Sequence, residues 1–406
     1  LLQAREPNEF ARASSHSSSP HSDGPLFLGL ALLAGFAGGL MAFLTHHSAA
    51  GWSETGLRHG LLLDFFVIAP AFLGGLGRLL LPAQLKRSSM ALPGFDHAGI
   101  ALLATGLALL LSSEWLGATC LLLAVLAWSG GMFAVSIGTI ASVLEDRPDR
   151  FRALSPFVWS QFLTASAFIV VLPVLAAGVV RIGLGSMPAE VALDRLLHVF
   201  RVPELALSIL PALGIAADMI FRRDRNVPAL LTGIMALMSL GTAIVWTHGV
   251  INGVRDFVPL EIFGVAVPTL VLIAAFCVSL WSVRSSASLP LFWSFGALLL
   301  FSAGWLLRIL PQGQTDLHSA ALFGAIFALF GGCYRWLQEA QNNAVPRWVG
   351  MVHLQITALG VVCSFLPMAG LHHFGEAVMG VSLLCAIPLA WRITMAQREQ
   401  KLAVMS

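Results

Sequence analysis

Apolar residues in this chain come in long unbroken runs, not in the alternation of a strand or the one-sided stripe of a soluble helix. Twelve runs can be delimited, at about 26–46, 58–81, 96–114, 119–144, 154–182, 195–221, 228–250, 259–283, 288–309, 315–337, 347–371 and 374–394. Each is close to the ~20 residues that carry an α-helix across a bilayer. Lipid offers backbone groups no partners, so only helices or closed barrels cross it, and runs of this length indicate helices. The pattern predicts an all-α integral membrane protein. A twelve-helix bundle is expected over residues 26–394, between a polar, disordered cytoplasmic tail (1–25) and a cytoplasmic C-terminal tail (395–406).

Composition agrees. Of 406 residues, 57% are hydrophobic and 11% charged, and the mean hydropathy is +0.83. A net charge of +2 gives no reason to expect nucleic acid as a partner. The five cysteines (Cys120, Cys277, Cys333, Cys363 and Cys385) all fall inside apolar runs and make no C-x-x-C pair. They read as buried small hydrophobes, with neither a disulfide nor a metal implied. Tyr334 is the one tyrosine.

Charge distribution sets an orientation. With twelve crossings both termini share a side, and all but six of the 23 basic residues fall on that side or at helix ends facing it, Arg78 and Arg335 among them. The six exceptions are Arg58, Arg181, Arg195, Arg201, Arg255 and Arg308. The positive-inside rule then puts both termini in the cytoplasm or the equivalent compartment, and the expected location is a bacterial cytoplasmic membrane. In this orientation His59, His198 and His318 lie at the outer ends of the second, sixth and tenth spans, and His248 closes the seventh at the same level. Histidines inside a bilayer are functional candidates.

Several segments carry a more specific pattern. The second span reads His59-Gly60-Leu61-Leu62-Leu63-Asp64-Phe65-Phe66, then Pro70-Ala71-Phe72-Leu73-Gly74-Gly75-Leu76-Gly77, and ends in Leu81-Pro82. The fifth carries Phe157-Val158-Trp159-Ser160 and Leu172-Pro173-Val174-Leu175-Ala176-Ala177-Gly178. The sixth has Pro203-Glu204 and Ile209-Leu210-Pro211, the seventh ends Ile244-Val245-Trp246-Thr247-His248, and the tenth runs from His318 into Gly324–Gly332. In this order and spacing, these segments resemble subunit I of the haem–copper oxidases, the catalytic core of cytochrome c oxidases, and the likeness is colinear over essentially all the spans.

The resemblance implies a twelve-helix bundle with cofactors in its outer half. The family holds a low-spin haem between a histidine of the second helix and one of the tenth, positions occupied here by His59 and His318. A bis-histidine iron has no open coordination position and passes electrons without binding oxygen. Glu204 stands where the family uses a glutamate to deliver protons, and Asp64 and Asp218 are further acids inside spans. Gly74, Gly75 and Gly77 fit close approach to a flat macrocycle.

Other family positions have changed. The high-spin haem ligand position holds Asp316, and the three copper-ligand positions hold Val202, His248 and Gly249, of which valine and glycine bring no ligating side chain. The copper-linked tyrosine position is Ala206, and Tyr334 lies at the wrong end of its helix to replace it. Ser89 and Leu272 stand at the positions of the family's proton-uptake aspartate and lysine. The double-arginine segment that holds haem propionates has no counterpart, and His372-His373 sits in a shortened loop.

The resulting expectation is an electron-transfer subunit with one low-spin haem at His59 and His318, no copper, and no oxygen or nitric oxide reductase activity of its own. It would work within, or in support of, a membrane respiratory complex with other membrane subunits and a cytochrome c or quinol-linked electron donor. Two other readings stay open. One is a haem-free structural or assembly subunit. The other is a cryptic reductase with a relocated metal site at His198, His248 and Asp316, since His198 lies one turn before Val202 on nearly the same face.

Overall fold

The computed structural model describes residues 22–46, 52–145, 153–185, 189–220, 228–252, 267–282, 288–309, 317–341, 345–366 and 369–405. These residues form thirteen α-helices and two π-helices and contain no strand. In chain order they are α1 (Gly24–His46), α2 (Trp52–Leu61), π1 (Leu62–Ile68), π2 (Pro70–Leu76), α3 (Gly77–Gln84), α4 (Pro93–Leu116), α5 (Ala118–Leu144), α6 (Pro156–Gly183) and α7 (Ala189–Ile220), followed by α8 (Pro228–Asn252), α9 (Val267–Ser282), α10 (Leu289–Ile309), α11 (Leu317–Gln341), α12 (Arg347–Phe365) and α13 (Ala369–Met405). Among the described residues, nine helices are long and apolar enough to cross a membrane. Leu207–Ile220, Thr269–Val278 and Leu289–Gly304 are apolar but shorter. The expected 1–25 tail lies outside the described residues up to position 21, and α13 runs on through 395–405 as helix.

Local chemistry explains the helix boundaries. α4 and α6 begin with proline, whose missing N–H costs nothing at a first helical position, and Ser155 caps α6 by accepting from the Val158 N–H. Gly117 alone joins α4 to α5 at φ +87°, a conformation open to glycine and strained for other residues. The two helices then pack closely through small residues: a Cβ on Gly131 would lie 3.1 Å from the Gly99 carbonyl, and one on Gly106 3.1 Å from the Ala124 carbonyl.

α2, π1, π2 and α3 run consecutively as one rod, winding loosely in the middle. Pro70 has no N–H to offer the Phe65 carbonyl in an i→i+5 pattern, and the indole Nε1 of Trp128 donates to that carbonyl at 2.6 Å. The Phe65 ring stacks on the same indole, with centroids 4.1 Å apart. Gly74 and Gly75 receive the side chains of Phe27 and Leu28 from α1, so these glycines serve helix packing against α1. The spans Ser319–Ala340 and Leu57–Gln84 are the most enclosed, with 83% and 78% of their apolar windows buried, and so form the centre of the bundle.

The burial of Arg78 corrects its assignment as a helix-end charge. It is fully buried on α3, and all five of its donors are used. Nε and Nη2 reach Asp96 Oδ1 at 3.0 and 2.5 Å, Nη1 reaches the Leu73 carbonyl and Thr139 Oγ1 at 2.7 Å each, and Nη2 also reaches the Val135 carbonyl at 2.8 Å. Arg335 of α11 is likewise buried, paired with Asp218 of α7 and with Glu339 at 3.0 Å. The cysteines are all free. Cys333 and Cys363 are buried as expected, whereas Cys277 is exposed on the outside of α9.

Removing one partner of a buried ion pair leaves an uncompensated charge. Asp96→Leu should therefore lower stability by about 3–5 kcal/mol, and Arg78→Met in the same chain should restore most of it. Thermal unfolding of the purified single and double variants measures the difference.

Candidate functional site

His59 lies in the last turn of α2, immediately before the winding loosens. Its Nδ1 sits 3.0 Å from the carbonyl of Gly38 on α1. A carbonyl can only accept, so this contact puts the imidazole proton on Nδ1 and leaves the Nε2 lone pair available for coordination. The approach depends on a glycine, because a Cβ on Gly38 would lie 3.0 Å from Leu63 Cδ2 on the rod.

His318 is the second residue of α11, and its side chain lies outside the described residues. The two backbones nevertheless fix a relation between the histidine positions. α11 packs against both π1 and π2, and a Cβ on Gly332 would lie 2.5 Å from Leu76 Cδ1. His318 precedes Gly332 by fourteen residues, about 21 Å of α-helix. His59 precedes Leu76 by seventeen residues, most of them π-helical, and π-winding advances less per residue than α-winding. The loose winding thus brings the two histidine positions towards a common depth.

Beyond the histidines, α1, π1, π2, α11 and α13 enclose an apolar cavity of about 70 Å³. Val67 and Ile326 line it, and each follows its histidine, His59 or His318, by eight residues. The cavity is too small for a porphyrin. Its lining is apolar and comes mainly from α1, α11 and α13, with Val67 and Ala71 from the rod.

The remaining sequence candidates are less completely described. His198 and Glu204 lie on α7, and only their backbone is described; Asp316 lies outside the described residues. His248 is half-buried on α8. Among the described residues no three His, Cys, Asp or Glu side chains gather as a metal site, and that set excludes the side chains of His198, His318 and Asp316. Asp64 is half-buried on π1.

Two buried polar networks escaped the sequence reading. At the α3 end of the rod, Ser155 bonds Gln84, Gln84 Nε2 donates to Asp218 Oδ2 at 2.9 Å, and Arg335 completes the group. On the far side of α11, Tyr334 Oη is 2.9 Å from His353 Nδ1, His353 Nε2 is 3.2 Å from Ser382 Oγ, and Ser382 is 2.7 Å from Thr357 Oγ1. Trp293 and Phe330 pack on the His353 ring at centroid distances of 5.1 and 4.6 Å. Tyr334 stands sixteen residues from His318, about 24 Å along α11, well away from the histidine level. The available signal was a tyrosine and a histidine inside apolar runs, where each needs a buried partner.

No family model matches the chain. It is similar to cytochrome c oxidase subunit 1 of Cereibacter sphaeroides, 25% identical over a 388-residue alignment that takes in 81% of this chain and 68% of that protein. It is also similar to cytochrome c oxidase subunit 1 of Thermostichus vulcanus, 24% identical over 365 residues, 76% of this chain and 66% of that one. The chain thus spans about two thirds of the length of these relatives.

Tyr334→Phe should leave His353 Nδ1 buried with no partner and cost about 1–3 kcal/mol. Comparing the melting temperature of this variant with that of the parent protein measures the loss.

Proposed function

From the premise that the chain is a distant relative of haem–copper oxidase subunit I and a multi-pass membrane protein, we propose that it binds one low-spin haem between His59 and His318 and serves electron transfer within, or support of, a membrane respiratory complex. The observation that carries this reading is the contact of His59 Nδ1 with the Gly38 carbonyl at 3.0 Å. A metal-bound imidazole characteristically gives its other ring proton to such a carbonyl, which orients the ring and raises the basicity of the ligating nitrogen. Two features support the fit. The rods bearing both histidines are the most enclosed of the long apolar helices, and the small cavity that both help to line is apolar.

When bound, a bis-histidine haem supplies a one-electron centre with no open position. The work of the chain is to hold and insulate it. Gly38 would fix the tautomer of His59, the π-helical rod would set its depth, and His59 and His318 would supply the axial nitrogens. Val202 and Gly249 stand at copper-ligand positions without ligating side chains, and Asp316 stands at the high-spin haem position, which argues against oxygen or nitric oxide reduction here. Glu204 is then a relic of a proton relay. The nine long apolar helices, with the three shorter ones, support twelve crossings, and the excess of basic residues favours both termini in the cytoplasm.

Reduced-minus-oxidised spectra of the purified full chain test the reading. A low-spin cytochrome signal should be present, should not respond to carbon monoxide, and should be lost in both His59→Ala and His318→Ala. Iron absent after gentle purification, or a large carbon monoxide shift, would sink it.

A further inference from the structure

The first third of α6 holds two side chains that break the protein's own habit. Buried hydroxyls in these helices close onto a carbonyl of the preceding turn: Ser129 onto Val125, Ser136 onto Met132, Thr139 onto Val135, and Ser160 of α6 itself onto Phe157. Thr164 is fully buried, yet its Oγ1 has no hydrogen-bond partner. Gln161, one turn before it, is fully buried too, and neither Nε2 nor Oε1 is hydrogen-bonded. A primary amide offers two donors and an acceptor, and burying it unsatisfied is strongly unfavourable.

The surroundings of this amide are specific. Gln161 faces Gly77, where the rod passes from π2 to α3, and a Cβ on Gly77 would lie 3.2 Å from Gln161 Oε1 and 3.3 Å from the Phe72 carbonyl. Glycine there allows the amide this close approach to the rod, and the Phe72 carbonyl already accepts from the Gly77 N–H. The neighbouring Ser160 packs against Gly214 of α7. The Gln161 amide and the Thr164 hydroxyl, three residues apart on one face of α6, thus offer donors and acceptors side by side, and a buried water requires two to four such partners.

We propose that Gln161 and Thr164 hold ordered water, an internal hydration site in the first turns of α6. The site lies six residues along α6 from Ser155, about 9 Å from the Ser155–Gln84–Asp218 group. Two polar groups therefore follow one another along α6, independently of any haem. The ligand is water, because the groups are neutral and offer donors and acceptors without a charge to recognise an ion.

A cryo-electron microscopy map of the full chain in lipid nanodiscs, at a resolution that shows water, provides the direct test. Density is expected within about 2.7–3.2 Å of the Gln161 amide and of Thr164 Oγ1. The double variant Gln161→Met, Thr164→Val gives a second readout whose sign discriminates. If water fills the site, the change strips it of partners and lowers the melting temperature by at least about 2 °C. A dry site would lose an uncompensated amide instead, and the melting temperature would rise. Absence of density, or a rise in melting temperature, overturns the proposal.

Discussion

Inside a bilayer a polar group finds its partner within the protein or goes without, and this constraint shapes the molecule from the backbone outward. It makes every described element helical. It also governs the exceptions, since a backbone carbonyl or guanidinium in the bundle recruits partners from neighbouring helices. The Phe65 carbonyl, opposite a proline that cannot donate, takes the indole of Trp128. Arg78 satisfies all five donors through Asp96, Thr139 and two carbonyls. All of these contacts except the one to the Leu73 carbonyl tie the central rod to α4 or α5, so satisfying one buried group also fixes helix position.

The loose winding of that rod has a consequence for the site. A straight α-helix from His59 to Leu76 would span about 25 Å, against about 21 Å from His318 to Gly332. Two π-helical segments shorten the longer side. Wide turns of this kind are often found where a helix serves a function. Here their effect is to bring two imidazole-bearing positions, on rods that pack directly together, nearer to one depth, as two axial ligands of one planar group require. The Gly38 carbonyl engages Nδ1 of His59 and leaves Nε2 as the nitrogen with a free lone pair.

Much of this was legible in the sequence because apolar run length is a direct signature of a crossing, and the order of short motifs pointed to a distant family. The positions of His59, His318 and Glu204 could be named from that order alone. What the sequence hid was pairing. Arg78 follows the run Gly74–Gly77 near a helix end and read as an ordinary anchoring charge, since nothing local reveals that Asp96 lies beside it. Gly74 and Gly75 looked suited to a macrocycle, but any flat or bulky neighbour calls for the same residues, and the neighbours here are Phe27 and Leu28. Tyr334 and His353 are nineteen residues apart on different helices, a distance over which residue spacing says nothing.

The buried arginines also bear on orientation. Arg78 and Arg335 were both tallied on the side of the termini, yet each lies inside the bundle with a carboxylate partner, Asp96 or Asp218. A basic residue neutralised in this way contributes little to the loop charge bias that sets topology. Arg58, on the opposite side of the tally, is also buried. Removing all three takes two residues from the richer side and one from the poorer. The excess persists, because it rests on clusters such as Arg147, Arg150 and Arg152 and Arg222, Arg223 and Arg225 in the connections between helices, where the rule draws its force. The orientation inference therefore stands on the loop charges and does not need the two arginines that the fold turns inward.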